Sequence, residues 1–146
     1  MNTKDISYIA GLFDGEGCFS LSRRSHSYGD GFQPQIQMAI TNERIVAWLL
    51  KTIGFGHCYP KTRLTHGGLK VWTYLVTKHS DIKALLEILV PYLKIKKPQA
   101  KLLLEYATNH PPIRGWHCRL HETPEWEAKI FQQIKLLNSG MVLEIS

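Results

Sequence analysis

The chain has 146 residues, 44% of them hydrophobic, which is enough to bury one core and predicts a single domain over residues 1–146, ordered from about residue 4 to about residue 138. Lysine and arginine number 18 against 12 aspartate and glutamate, a net charge of +6 that favours a polyanionic partner without identifying it. The basic excess alone is weak evidence, because many basic proteins bind no nucleic acid.

The cysteines and the chain start bear on location. Cys18, Cys58 and Cys118 are few and far apart, which is typical of reduced thiols in an intracellular compartment. No signal peptide is visible, and the most apolar run, residues 84–93, is interrupted by Glu87 and Pro91. We therefore expect no membrane partner and an intracellular protein, in the cytoplasm of a prokaryote or in an organelle.

A short amphipathic helix is predicted over residues 6–14. Its apolar face follows the i, i+3, i+4, i+7 spacing and consists of Ile6, Ile9, Ala10 and Phe13. A second stripe, spaced by four, consists of the small residues Ser7, Gly11 and Gly15. Small residues at this spacing let two helix backbones approach closely.

Two acids, Asp14 and Glu16, end this helix, and each is followed by a glycine. Negative charge at a helix C-terminus is unfavourable, so the acids are expected to face something positive, and a divalent metal is the first candidate. The alternative is an ordinary helix with a glycine C-cap and solvated acids.

Two strands with period-two alternation follow. Over residues 18–26, Phe19 and Leu21 share one face, and the other face carries Ser20, Ser22, Arg24 and His26. Over residues 32–41, Ile36, Met38 and Ile40 point inward, and the outward face carries Gln33, Gln35 and Gln37. Glutamine pairs with adenine edges in the major groove, but a solvated surface explains the same alternation.

A helix over residues 42–53 and a hairpin come next. The helix has its apolar positions at Ile45, Trp48, Leu49 and Thr52. Strand 57–66 places on one face His57, Tyr59, Lys61, Arg63 and Thr65; strand 69–77 places on one face Lys70, Trp72 and Tyr74, and on the other Leu69, Val71 and Leu75. Gly67-Gly68 forms the turn between them.

Three helical segments close the chain. They cover residues 80–89 with Ser80 or Asp81 as cap, residues 99–107 with Pro98 in the first turn, and a segment capped by Thr123 whose apolar face is Trp126, Ile130, Ile134 and Leu137. A loop over residues 109–123 contains His117, Cys118 and His121, a spacing compatible with zinc, although a basic loop using Arg114 and Arg119 is the favoured interpretation.

Residues 8–17, Tyr-Ile-Ala-Gly-Leu-Phe-Asp-Gly-Glu-Gly, resemble the signature of the LAGLIDADG homing endonucleases. The motif occurs once, and residues 53–56, 93–100 and 122–138 are similar to segments of the one-motif, homodimeric branch. The resemblance implies an α+β fold of order α-β-β-α-β-β-α-α with a four-stranded antiparallel DNA-binding saddle. Glu16 departs from the commoner aspartate, the helix after Asn42 is about one turn short, and the loop over 109–123 is enlarged.

The resemblance also implies a function: site-specific, Mg²⁺-dependent cleavage of double-stranded DNA by a homodimer, with Ca²⁺ supporting binding without cleavage. It implies catalytic roles for Glu16, Asn42 and Lys96, metal binding by Glu16 and the Gly15 carbonyl, and a dimer contact through Ser7, Gly11 and Gly15. Asp14 is expected to hydrogen-bond around the helix ends. The residues expected to contact DNA are Ser22, Arg24, His26, Gln33, Gln35, Gln37, His57, Tyr59, Lys61, Arg63, Lys70 and Trp72.

Other readings stay open. Asn42 has a second interpretation as a helix cap, and Lys96 as one member of a solvated lysine run. On the same scaffold the chain is alternatively an RNA-binding splicing cofactor (a maturase) or a DNA-binding regulator that does not cut. A basic α+β protein with an unrelated partner is the third option. The presence of Glu16, Asn42 and Lys96 together favours the nuclease.

Overall fold

The computed structural model describes residues 1–26, 29–63, 67–109 and 125–140. The helices are α1 Thr3–Glu16, α2 Glu43–Ile53, α3 His79–Leu89, α4 Lys97–Asn109 and α5 Glu125–Asn138, with a short 3₁₀ helix at Val90–Tyr92 after α3. The strands are β1 Gly17–His26, β2 Gly29–Ile40, β3 His57–Arg63 and β4 Leu69–Val76. No helix in these ranges is long and apolar enough to cross a bilayer.

The four strands form one antiparallel sheet in the order β1-β2-β4-β3. The helices cover one face of the sheet, and the core between them contains Phe13, Ile36, Tyr74 and Leu103. We call the other side the open face. The α+β class and the four-stranded antiparallel sheet are confirmed. Three helices follow β4, where the condensed predicted order has two, although each of the three has its own sequence pattern.

Helix α1 buries the face that its spacing predicts. Ile9, Ala10 and Phe13 are buried, and Ile6 is partly buried. The helix begins at Thr3, three residues before the predicted start, because Asn2 caps it: the Asn2 side chain accepts the N–H of Asp5 at 2.8 Å.

The predicted alternation in β1 and β2 is confirmed. Phe19 and Leu21 of β1 are buried, as are Ile36 and Met38 of β2. The glutamines of β2 alternate with these buried residues, so they lie on the open face.

The hairpin β3–β4 corrects one prediction. Lys70, Trp72 and Tyr74 share a face as expected, but Tyr74 is fully buried, so this is the helix-covered side. Paired residues of an antiparallel sheet lie on the same face, and Lys61 pairs with Val71. The placement of Lys70 and Trp72 beside Tyr59 and Lys61 is therefore wrong.

Tyr74 is buried because the turn after α2 gives its hydroxyl a partner. The hydroxyl donates to the Phe55 carbonyl oxygen at 2.8 Å. Gly56 lies close to the ring: a Cβ at this position would lie 2.8 Å from Tyr74 Cε2, and its φ of +102° also favours glycine. The hydroxyl group of the buried Tyr74 thus has a hydrogen-bond partner within the fold.

The later helices shift two expectations. In α2 the fully buried residues are Val46, Leu49 and Ile53, while Ile45 and Trp48 are partly buried, so the apolar face is rotated from the predicted one. In α3 the N-cap is Lys78, and no side chain caps the helix, so the expected role of Ser80 or Asp81 is wrong.

Helix α5 buries Ile130 and Ile134 as predicted, together with Glu127, which its pattern did not single out. Several predictions fall outside the described residues: those for Thr65, for the cap Thr123, and for the loop residues Arg114, His117, Cys118, Arg119 and His121.

Candidate functional site

The acidic end of α1 turns directly into β1. Glu16 is the last helical residue and is exposed, and the N–H of Gly17 donates to the Phe13 carbonyl oxygen. A Cβ on Gly17 would lie 2.8 Å from both Cα and O of Phe13, so only glycine permits this abrupt change of direction. The carbonyls after Phe13 have no partner in the helical ladder, since the helix ends there.

Asp14 binds the backbone that leads into α4. Its Oδ2 accepts the N–H of Lys94 at 2.8 Å, and its Oδ1 accepts those of Ile95 at 3.1 Å and Lys96 at 2.9 Å. Lys96 is itself at the cap position of α4, since its carbonyl accepts the N–H of Ala100 at 3.0 Å. A carboxylate at a helix N-terminus is favourable, so Asp14 ties the end of α1 to the start of α4.

Lys96 returns to the end of α1. Its ammonium donates to the carbonyl oxygen of Gly17, one residue beyond Glu16. Lys96 is partly buried, whereas Lys94 and Ile95 beside it are exposed. The structure therefore selects one lysine of the run 94–97 and brings it to the motif.

The positive environment expected for the acids comes in part from the chain itself. Asp14 is satisfied by three N–H groups, and the Lys96 ammonium lies at the negative end of α1. Glu16, by contrast, keeps its carboxylate exposed. Within the described ranges no three His, Cys, Asp or Glu residues cluster in a way that could hold a metal ion.

Asn42 is the N-cap of α2. Its Oδ1 accepts the N–H of Ile45 at 3.2 Å, which is the cap interpretation that the sequence left open. Gly17 pairs with Met38, and Asn42 follows four residues later. Asn42 therefore lies two residues beyond the end of β2, the neighbour of β1, and in the described part of the chain no hydrogen bond joins it to Glu16.

The small stripe of α1 faces solvent. Ser7, Gly11 and Gly15 are all exposed, and a Cβ on either glycine would meet nothing within 4 Å. Beside the stripe, Tyr8 is 50% exposed and packs edge-on against Trp48, with ring centroids 5.5 Å apart. Nothing in the described part of the chain requires these helical glycines to be small.

The open face of the sheet carries most of the predicted polar residues. By register and alternation it holds Ser22, Gln33, Gln35, Gln37, His57, Tyr59 and Lys61. The predictions for Arg24, His26 and Arg63 concern side chains that lie outside the described part of the structure. The spatial grouping of the described residues supports one continuous surface.

The three glutamines of this surface are not equivalent. The Gln33 amide donates to the carbonyl oxygens of Thr77 at 2.8 Å and Pro34 at 3.2 Å, so its donor is occupied within the fold. In the part of the chain that the structure describes, the side chains of Gln35 and Gln37 make no hydrogen bond, and both remain available to a ligand.

Sequence reasoning missed the open-face residues of β4. The register places there Leu69, Val71, Thr73 and Leu75, in the positions that Lys70 and Trp72 were expected to take. The available signal was Tyr74, which belongs to the same alternating set as Lys70 and Trp72 and is surrounded by apolar residues in the sequence.

Comparisons with known proteins bear on this arrangement. The family model described as LAGLIDADG endonuclease matches residues 9–107, which include α1 from Ile9 onward, the sheet and the Lys96 segment. None of the curated proteins compared with the chain matches it significantly.

Several solved structures share the fold. The homing endonuclease I-CvuI, in complex with its target in the presence of Ca, has a TM-score of 0.75 at 21% identity, over 97% of this chain and 87% of that one. The archaeal intron-encoded homing endonuclease I-Vdi141I, complexed with DNA, has a TM-score of 0.72 at 17% identity, over 98% and 89%. The homing endonuclease I-TnaI has a TM-score of 0.63 at 18% identity, over 92% and 96%.

Proposed function

Since the chain belongs to the LAGLIDADG endonuclease family, we propose that it is a site-specific DNA endonuclease that works as a pair of identical chains with Mg²⁺. One observation carries the proposal: at the end of α1 Glu16 is exposed, and the carbonyl of the next residue, Gly17, accepts the Lys96 ammonium, which Asp14 positions through the backbone of residues 94–96. An acid beside a cation on a basic protein suits the scissile phosphate of a nucleic acid.

The small stripe supports the pairing of two chains. A glycine inside a helix costs about 1 kcal/mol relative to alanine, and Gly11 and Gly15 have open space around them, so the fold of one chain does not explain them. A second α1 packed across a two-fold axis would use them, because helix backbones approach closely only where side chains are small. Ser7 completes this surface, and the exposed Tyr8 lies at its edge.

A divalent metal fits the donor set. Glu16 offers an exposed carboxylate and Gly15 a main-chain carbonyl at the end of the helix, which are the oxygen donors that Mg²⁺ prefers. One chain provides only one such carboxylate here, so the pair supplies two. A Mg²⁺ ion held by these oxygens would supply Lewis-acid chemistry to the phosphate and to a water molecule; Ca²⁺, present in the I-CvuI complex, is expected to support binding without cleavage.

The chain's own residues have separate tasks. Glu16 holds the metal, and Lys96 places a positive charge beside the phosphate, where it stabilises the charge that develops during cleavage. We retain Asn42 in the catalytic set for holding the attacking water: its Oδ1 is occupied by the N–H of Ile45, so the amide nitrogen is the free group. Asp14 acts as a positioning residue for Lys96.

The open face supplies recognition. Gln35, Gln37, His57, Tyr59 and Lys61 form an amide-rich, basic surface of the size of a β-ribbon that enters the major groove. Ser22 and Gln33 belong to the same face, and Arg24, His26 and Arg63 stay in the predicted DNA-contacting set. Two such surfaces related by a two-fold axis would cover a near-palindromic site on the order of two helical turns.

The test uses the full chain and a randomised library of DNA duplexes. Incubation with Mg²⁺ should release fragments with a common sequence, and Ca²⁺ should retain the same duplexes without cutting them. A non-cutting DNA-binding regulator would enrich a sequence with either ion and cut nothing. A maturase would bind structured RNA in preference to every duplex. Either of the last two results contradicts the proposal.

A further inference from the structure

The open face of β4 differs in chemistry from that of its neighbours. β2 presents glutamines and β3 presents His57, Tyr59 and Lys61, whereas the β4 positions between them are apolar or nearly so: Leu69, Val71, Thr73 and Leu75. β4 is an inner strand of the sheet. A surface that reads DNA therefore has an apolar line through its middle.

Only part of this line is accessible. Val71 and Thr73 are 4% and 6% exposed, so flanking side chains already cover them. Leu75 is partly exposed, and Leu69 lies at the hairpin end opposite Arg63. Leu75 is thus the apolar group that a ligand meets in the body of the sheet.

Leu75 lies in one row with two polar residues. It pairs with Gln37 on β2 and with His57 on β3, so the three side chains cross the open face side by side. Directly opposed side chains on adjacent strands are about 5 Å apart at Cβ, which is well within the roughly 12 Å width of the major groove. Gln37 and Leu75 can therefore contact the same or adjacent base pairs.

We propose, building on the DNA-cleaving function above, that Gln37 and Leu75 together read an A·T base pair. The Gln37 amide donates to adenine N7 and accepts from the adenine N6 amino group, and Leu75 packs against the C5-methyl group of thymine. These two features distinguish an A·T pair in the major groove, because guanine presents two acceptors, N7 and O6, where adenine presents an acceptor and a donor, and a G·C pair has no C5-methyl group. Leu75 is thus a specificity-determining residue.

A purely structural role for Leu75 would have different effects on DNA affinity. If Leu75 only shields the sheet, the loss of the thymine methyl would not change affinity, and substitution of Leu75 would weaken all duplexes alike. If Leu75 contacts the methyl group, removing the methyl group and removing the leucine side chain abolish the same contact, so their effects on affinity do not add. This difference makes a double-mutant cycle between protein and DNA the appropriate test.

The experiment uses the duplex recovered from the library in Ca²⁺, with deoxyuridine replacing thymine one position at a time. Deoxyuridine removes only the methyl group. At one position the parent should lose about four-fold in affinity, the value of one buried methyl-sized group. Leu75→Ala should bind the thymine and deoxyuridine duplexes equally, while Lys61→Met, a matched open-face change, should weaken both and keep their ratio.

A second base analogue tests the partner residue. With 7-deaza-adenine in place of the paired adenine, the parent should lose affinity. Gln37→Ala should bind the adenine and the 7-deaza-adenine duplexes equally. Circular dichroism confirms that each variant is folded; if Leu75→Ala is not, Leu75→Thr takes its place and should show a smaller preference for thymine over deoxyuridine than the parent does.

The outcomes separate the two proposals. If no position responds to deoxyuridine, or if Leu75→Ala keeps the parent's preference for thymine, the A·T reading is wrong although the enzyme still cuts. If the parent recovers no duplex from the library at all, the nuclease proposal fails, and with it the premise of the A·T reading.

Discussion

Asp14 and Lys96 form a closed connection between the first helix and the fourth: the Asp14 carboxylate accepts the N–H of Lys96 at 2.9 Å, and the ammonium of the same lysine donates to the Gly17 carbonyl oxygen. The two residues are 82 positions apart in the chain. Their contact holds the Lys96 ammonium at the carbonyl that follows the exposed Glu16, so it couples the fold to the proposed chemistry.

Asp14→Asn should weaken both stability and cleavage. The amide oxygen can accept two of the three N–H groups of residues 94–96, but the amide nitrogen then opposes the third, and an unsatisfied donor costs about 1–3 kcal/mol. Chemical denaturation measures the free energy of unfolding. Glu87→Gln, which alters an exposed carboxylate 4.0 Å from Lys83, is the control and should change it by less than about 0.5 kcal/mol. Equal behaviour of the two variants would contradict the role given to Asp14.

Lys96→Met should slow cleavage on the order of 100-fold while DNA affinity changes little, because an electrostatic contact to developing charge acts mainly in the transition state. Single-turnover rates with saturating enzyme separate the two effects. Lys94→Met removes an exposed cation of the same run and serves as the control. If both variants cut at the same rate, Lys96 is only one member of a solvated basic run and has no specific role in cleavage.

Gly17→Ala should destabilise the fold by roughly 1–3 kcal/mol, since its Cβ would overlap backbone atoms of Phe13 that cannot move without disturbing the end of α1. Gly15→Ala is the contrast: its Cβ meets open space, and alanine favours a helix by about 1 kcal/mol, so the single chain should keep or gain stability. Thermal unfolding at a concentration below that of pairing measures both. A stable Gly17→Ala variant would show that the turn at this position can relax.

Much of this fold could be predicted because the local patterns agree with each other. The buried face of α1, the alternation of β1 and β2 and the cap at Asn42 depend on residues close in sequence, and the structure reproduces them. The pair Gly67-Gly68 predicts the turn of the hairpin equally clearly, and both glycines adopt positive φ there.

The predictions that failed, or could not be made, depend on tertiary packing. Alternation showed that Lys70, Trp72 and Tyr74 share a face, but not which face is buried; the hydrogen bond from Tyr74 to Phe55 decides that. In the same way, no local pattern connects Asp14 to residues 94–96, so the positioning of Lys96 could not be derived from the lysine run alone.

Tyr74 predicts a loss of stability in alkali. Burial, with a smaller contribution from the negative charge of Asp81, raises the pKa of Tyr74 above its usual range. The unfolded chain therefore loses this proton near pH 10 while the folded chain keeps it, so the free energy of unfolding falls as pH rises past about 10. Denaturation at about pH 9 and about pH 11 should show this fall in the parent.

Tyr74→Phe should be less stable by about 1 kcal/mol at neutral pH, because the Phe55 carbonyl loses its partner, yet should lose less on going to alkali. Tyr92→Phe, at an exposed tyrosine, should follow the parent at both pH values. An identical alkaline loss in the parent and in Tyr74→Phe would mean that other groups cause it.

The most direct measurement is strand cleavage by mixed pairs of chains. Parent and Glu16→Gln chains carry different affinity tags and are co-purified as one complex. The complex is incubated in Mg²⁺ buffer together with a supercoiled plasmid that contains the selected site. If two chains pair and each Glu16 serves one strand, the mixed complex accumulates nicked circles while the parent pair yields linear DNA. Linear DNA formed by the mixed complex at the parent rate would contradict the shared, Glu16-dependent site.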